Sequence, residues 1–155
     1  MKKVFEDYFS ELQADMVSIC LEYVKDRAEK IYIYCSCEKK VISCNFFYCI
    51  NNTIVKKHEL NDSINNNLNE FEYDTSIERQ KCVSKIIIND IERLYNLCKE
   101  YEKEMPTEMK LIYDVKNNSL KAEYRYDLVY SNDPVKFADH IAQEWFEEIK
   151  SKNNE

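Results

Sequence analysis

The chain has 155 residues, of which none is glycine and two are proline, and its formal net charge is −7. Phosphate-binding loops, dinucleotide-binding turns and nucleophile elbows need glycine where the backbone takes φ > 0, so these enzyme motifs are excluded. The negative charge repels nucleic acid and anionic membranes and attracts basic proteins, although a modest charge of this kind on its own is explained by solubility. We therefore expect a binding protein rather than an enzyme, without a metal or a cofactor.

The length predicts a single domain over residues 1–150, followed by a frayed tail at 151–155. No apolar run is long enough to cross a bilayer, and the start of the chain turns polar too early for a signal peptide. Seven cysteines, an odd number, fit reduced thiols better than a disulfide framework. These features predict a cytoplasmic protein.

The first predicted element is an amphipathic helix over residues 5–28, in which apolar side chains recur at steps of three and four. The spacing then changes to period two, which predicts three strands. They cover residues 31–37, 41–50 and 53–58. A two-residue turn at Lys39-Lys40 places Cys35 opposite Cys44 in the first hairpin.

This register gives the first hairpin two different faces. Cys35, Cys37 and Cys44 share an almost wholly apolar face, where free cysteine acts as a small hydrophobic residue. The other face carries three aromatic residues among polar ones, namely Tyr32, Tyr34 and Phe47. Two interpretations of this second face stay open: a helix covers it, or the rings form an exposed patch suited to a protein partner.

A loop rich in asparagine and acidic residues is predicted between the third strand and the next helix. The segment 59–78 contains six acidic residues and neither lysine nor arginine. Alternating carboxylates occur in metal and glycosidase sites, but without fixed polar groups around them an acidic run is usually solvated. We interpret this segment as an anionic surface that attracts a basic partner.

The second half of the chain predicts two helices around a second hairpin. The long helix begins at Thr75 or Ser76 and ends near Glu104, and the last helix begins at Asp133-Pro134 and ends near Lys150. The hairpin strands cover residues 108–115 and 119–130, around a turn at Asn117-Asn118. In this register Asp114 would meet Lys121 across the strands.

The predicted order is therefore α-β-β-β-α-β-β-α. This order predicts an α+β fold in which an antiparallel sheet of about five strands, built from two hairpin units, carries three helices on one side.

An alternative function is a small thiol- or metal-dependent enzyme that uses Cys35, Cys37, Cys44 and His58. Structural zinc usually draws its cysteines from tight turns, whereas Cys35 and Cys37 are alternate residues of one predicted strand. We therefore favour core packing for these thiols. A third possibility is an adaptor that associates with itself through an open sheet edge.

Aromatic segments follow one another in a defined order along the chain. They are Lys30-Ile31-Tyr32-Ile33-Tyr34, Phe46-Phe47-Tyr48, Leu94-Tyr95 in the long helix, Pro106-Thr107, Glu123-Tyr124-Arg125-Tyr126-Asp127 and a final aromatic helix. From about Phe9 to Ile149, this pattern resembles the YezG-type immunity proteins, the antitoxins that neutralise secreted polymorphic toxins in bacteria. The resemblance implies a cytosolic protein without enzymatic activity, which binds a cognate toxin domain that is often a nuclease.

A nuclease site is basic because it holds phosphate, so an acidic protein can be steered to it. This hypothesis places the toxin contacts on the acidic segment and on the aromatic face of the first hairpin. The predicted contact residues are Glu70, Glu72, Asp74, Tyr32, Tyr34 and Phe47.

Overall fold

The computed structural model describes residues 4–63, 72–131 and 136–153. Within these ranges it has the predicted α+β order of three helices and five strands. The elements are α1 (Phe5–Tyr23), β1 (Lys30–Glu38), β2 (Val41–Ile50), β3 (Thr53–Lys56), α2 (Ile77–Glu100), β4 (Glu108–Asp114), β5 (Ser119–Arg125) and α3 (Ala138–Asn153). None of these helices combines the length and the apolar character that crossing a membrane requires.

The five strands form one antiparallel sheet in the order β3-β2-β1-β4-β5. The first hairpin has the predicted register, in which Cys35 lies opposite Cys44. Its turn residues Lys39 and Lys40 have φ angles of 51° and 68°. Two positive φ values are what a tight two-residue hairpin turn needs, so lysine takes the place of the usual glycine here.

The second hairpin differs from its predicted register by two residues. Asp114 lies opposite Ser119, and Lys121 lies opposite Ile112, so the predicted pair of Asp114 with Lys121 is wrong. The carboxylate of Asp114 instead accepts hydrogen bonds from the backbone and side-chain amides of Asn117, and this widens the turn. A shift of two residues leaves every side chain on its predicted face.

The two sheet faces are both covered, by different helices. On one face, α1 and α2 pack over the inner strands, with Met16, Ile87 and Leu94 in the core. On the other face, α3 packs over β2 and β3 through Trp145 and Phe146. The prediction of all helices on one side is wrong because the central strand β1 is buried along nearly its whole length and needs cover on both faces.

The helices end at points that local chemistry explains. Helix α1 ends at Tyr23 rather than near residue 28, because Lys25 and Asp26 take positive φ angles. Helix α2 has Ser76 as its N-cap, whose hydroxyl accepts a 3.2 Å hydrogen bond from the amide of Arg79. It ends at Glu100, four residues before the predicted end.

The predicted start of the last helix at Asp133-Pro134 lies outside the described residues. In the described part, α3 begins at Ala138 and continues to Asn153, past the predicted end near Lys150. Residues 151–153, predicted as part of a frayed tail, are therefore helical.

Strand β5 ends at Arg125 instead of continuing to Tyr130, because a buried carboxylate draws the following chain away. Glu38, at the end of β1, accepts hydrogen bonds from the amides of Val129 at 2.9 Å and of Ser131 at 3.1 Å. The hydroxyl of Ser131 donates a further bond of 2.6 Å. These charge-assisted bonds compensate the burial of Glu38, whose exposed fraction is 1%.

Candidate functional site

The three aromatic residues predicted as exposed contacts lie beneath α3. Tyr32, Tyr34 and Phe47 have exposed fractions of 5%, 1% and 4%. The rings of Tyr32 and Phe47 stack at 4.7 Å, and the ring of Phe47 meets that of Trp145 at 5.2 Å. Of the two interpretations, the covering helix is the correct one. The exposed patch is wrong, because these rings are shielded from a partner.

Of the three acidic residues predicted to contact a toxin, two lie within the described part of the chain. Glu70 lies outside the described residues. Glu72 and Asp74 are exposed just before α2. Asp74 accepts a 3.0 Å hydrogen bond from the amide of Ser76, and this bond holds the pKa of Asp74 below its usual range. Both carboxylates are therefore accessible to a partner, and Asp74 is charged at neutral pH.

The thiols of the first hairpin point into the core. Cys35 and Cys37 are buried there and Cys44 packs against it, so the predicted core packing is confirmed. Burial raises the pKa of Cys35 well above its ordinary value and the pKa of Cys44 to about 11. His58 is exposed. In residues 4–63, 72–131 and 136–153, no three His, Cys, Asp or Glu side chains are arranged to hold a metal ion.

A groove runs between the outer side of α1 and the edge strand β5. Its first cavity has a volume of about 490 Å³. The residues lining this cavity are Phe5, Glu6, Phe9, Ser10, Gln13, Lys103, Glu104, Pro106, Tyr124 and Tyr126. A second cavity of about 360 Å³ lies further along α1. It is lined by Ala14, Val17, Ser18, Leu21, Tyr113, Asn118 and Leu120. We call the two cavities together the α1–β5 groove.

One hydrogen bond joins α1 to β5 in the lining of the first cavity. The side-chain amide of Gln13 donates to the hydroxyl of Tyr124 at 2.8 Å, although the two residues are 111 positions apart. On either side of this bond, the apolar side chains of β5 are only partly covered. The exposed fractions of Leu120 and Tyr124 are 38% and 39%. The sheet therefore offers apolar surface to solvent beside α1.

A cluster of rings that we call the aromatic surface surrounds one end of the groove. It consists of Phe5, Phe9, Tyr101, Tyr124 and Tyr126. Phe5 contacts Phe9 and Tyr101, each at 5.6 Å between ring centroids, and Phe9 meets Tyr124 at 5.9 Å. Aromatic side chains held in place by one another make good anchors for a protein partner, because little entropy is lost on binding.

Helix α1 is strongly acidic, and its carboxylates lie on two sides: Glu6 lines the groove, whereas Glu11 and Asp15 line a separate cavity shared with α2. Helix α1 contains five acidic residues and no lysine or arginine. The acidic residues are Glu6, Asp7, Glu11, Asp15 and Glu22. Glu22 lies 3.7 Å from Arg79 of α2, which brings the acidic helix next to the start of α2 and thus towards Glu72 and Asp74. The negative field on this side of the molecule is therefore continuous with the predicted acidic segment.

The sequence pattern correctly grouped the side chains of β5 that lie beside the groove, but it did not predict that they are partly exposed. The period-two pattern correctly places Leu120, Ala122 and Tyr124 on the same face as the apolar residues of β4. That pattern predicts burial. Because β5 is an edge strand and α1 covers it only in part, these side chains stay accessible.

A comparison with protein-family models and with curated protein sequences found no match to this chain. The resemblance to the YezG-type immunity proteins therefore stays a prediction.

Proposed function

We propose that this protein is an immunity protein, or antitoxin, which binds and neutralises a bacterial toxin domain with a basic surface, such as a nuclease. The observation that carries the proposal is the pairing of the acidic helix α1 with the aromatic surface beside it. Aromatic anchors supply affinity, and a one-sided negative field raises the rate of encounter with a basic partner.

The experiment is co-expression with the toxin domain encoded by the neighbouring gene. We expect cells that produce the toxin domain alone to stop growing and cells that also produce this protein to grow. The purified proteins should form a complex during gel filtration. Growth arrest despite normal levels of folded protein would contradict the proposal for that toxin.

The thiol-enzyme alternative is disfavoured by the raised pKa values of the core cysteines, since a nucleophilic or metal-binding cysteine must be a thiolate. Titration with a thiol reagent across pH separates the two functions. A thiol that reacts rapidly near neutral pH would favour the enzyme, and slow reaction until the protein unfolds would favour the antitoxin.

The self-associating adaptor rests on the edge strands of the described sheet, β3 and β5, of which β5 is the longer. A strand with free backbone groups can pair with the same strand of a second copy. Sedimentation equilibrium over a range of concentrations tests this function, because pairing through β5 would produce a dimer.

A further inference from the structure

Strand β5 is the more open of the two edges of the described sheet. Six of its seven residues are exposed, and among the described elements only β4 packs against it along its length. The other edge strand, β3, has four residues and is followed by a short 3₁₀ turn at Leu60–Ser63 that packs on it. An uncovered edge of this length offers its backbone to another strand.

The hydrogen bonds at the two ends of β4 show which backbone groups of the sheet point outwards. The amide of Val115 donates to the carbonyl of Glu29 at 3.0 Å, and the amide of Cys37 donates to the carbonyl of Thr107 at 2.9 Å. These bonds direct the odd-numbered residues of β4 towards β1. Because successive residues of a strand bond to opposite neighbours, the even-numbered residues of β4 bond to β5.

The open edge of β5 therefore belongs to its even-numbered residues. The even-numbered residues of β4 lie opposite odd-numbered residues of β5, for example Ile112 opposite Lys121. The N–H and C=O groups of Leu120, Ala122 and Tyr124 remain and point away from the sheet. A strand that pairs with this edge must satisfy the donors and acceptors of these three residues.

Two opposite charges lie symmetrically about the middle of this edge. Lys121 and Glu123 flank Ala122, and both side chains are exposed on the face of β5 that points away from α1. Neither forms an ion pair with another described residue. Lys121 lies opposite the apolar Ile112 within the chain. Both charges are therefore available to a strand that pairs with the edge.

These charges select one antiparallel register for two copies of β5. A pairing centred on Lys121 places two lysines opposite each other, and a pairing centred on Glu123 does the same with two glutamates, so both are disfavoured. A pairing centred on Ala122 places Lys121 opposite Glu123 of the second copy, twice. The same register sets Leu120 opposite Tyr124 of the second copy and matches all the open backbone groups.

We propose that two copies of this chain associate through β5 into a dimer with one continuous antiparallel sheet. The two-fold axis passes between the two Ala122 residues, perpendicular to the sheet. A contact of this kind is closed, since the same surface of each copy meets itself. The two α1 helices then lie on the same side of the sheet, and the apolar pair of Leu120 with Tyr124 lies between them. This inference goes beyond the antitoxin function and does not depend on it.

Charge reversal tests the register, with sedimentation equilibrium as the measurement of the dimer dissociation constant. Lys121→Glu and Glu123→Lys each place like charges opposite one another in both pairs, and we expect each to weaken the dimer about tenfold. The double variant restores opposite charges and should return to within about threefold of the wild-type value. Lys85→Glu and Glu92→Lys, exposed on α2, are matched controls for net charge and should stay within the same limit.

Ala122→Pro tests the backbone pairing. The N–H that proline lacks points to the open edge at this position, so the bonds to β4 are retained. We expect the dimer to weaken at least about tenfold. Hydrogen exchange of the wild-type protein needs no substitution. The amides of Leu120, Ala122 and Tyr124 should exchange at least about tenfold more slowly at high protein concentration, and the amide of Lys121, which bonds to β4 in either state, should change less.

Each contrary outcome bears on a defined part of the proposal. A protein that stays monomeric at every concentration would overturn it. A dimer that Ala122→Pro and both charge reversals leave unchanged uses another surface and would overturn it as well. A double variant as weak as the two single variants would overturn the register centred on Ala122. Thermal unfolding verifies that every variant is folded. No toxin domain is present in these experiments, so failure of the dimer leaves the antitoxin function standing.

Discussion

Gln13 of α1 and Tyr124 of β5, which both line the first cavity of the α1–β5 groove, are joined by a 2.8 Å hydrogen bond. Gln13 is buried, with an exposed fraction of 5%, and Tyr124 is partly exposed. This bond connects the first helix of the chain to the last strand of the sheet.

Tyr124→Phe removes the hydroxyl and leaves the amide of Gln13 without this acceptor. We expect the free energy of unfolding to fall by about 1–2 kcal/mol, because a buried polar group loses its partner. Urea denaturation measures the change. Tyr126→Phe, on the same surface, is the control and should change stability by less than about 0.5 kcal/mol. Equal stability of the two variants would contradict a structural role for the bond.

Glu38→Gln tests the carboxylate that holds residues 129–131. A neutral amide weakens the hydrogen bonds from Val129 and Ser131, and its amino group would face their donors. We expect a loss of about 1.5–3 kcal/mol in the free energy of unfolding and faster hydrogen exchange at these two amides. Glu123→Gln, at an exposed position of β5, should change neither quantity.

Asp90 makes the stability of the protein depend on pH. Its exposed fraction is 1%, and its Oδ1 lies 3.5 Å from Arg93. Burial, reinforced by the neighbouring carboxyl of Asp15, raises the pKa of Asp90 to about 7. Because this pKa is higher in the folded chain than in the unfolded chain, folding is favoured by protonation, and stability is lost as the pH rises through about 7.

Asp90→Asn removes this loss. We expect the variant and the wild-type protein to differ little near pH 4, and the variant to be more stable by at least about 1 kcal/mol above pH 7. Thermal unfolding at several pH values measures the difference. Glu92→Gln, an exposed change on the same helix, should show no such trend. A difference that does not vary with pH would contradict the assigned cause.

Electrostatic steering predicts how the proposed complex responds to salt. Raising the ionic strength should slow association with the toxin domain far more than it speeds dissociation, since screening acts on the encounter. Stopped-flow measurement gives both rates. Glu6→Lys at the groove should slow association about tenfold at low salt, whereas Glu123→Lys on the opposite face of β5 should have a smaller effect. An association rate that is insensitive to salt would contradict steering.

Local patterns predicted much of this fold correctly. The alternation of residues on either side of Lys39-Lys40 predicted the register of the first hairpin. Once these two residues are assigned to the turn, each residue of one strand has only one possible partner on the other strand. In the second hairpin, the Asp114 side chain bonds to Asn117 and widens the turn, so alternation alone predicted the faces but not the pairing.

The sequence by itself determined the composition, the negative charge and the order of the helices and strands. Composition and charge are sums over the residues, and the order of elements depends on neighbours along the chain. Which aromatic residues are accessible was decided only by tertiary structure. The pairing of β1 with β4 makes the Tyr32 strand central and leaves the Tyr124 strand at the edge. Such pairing joins segments far apart in sequence, and its consequence for exposure has no local signature.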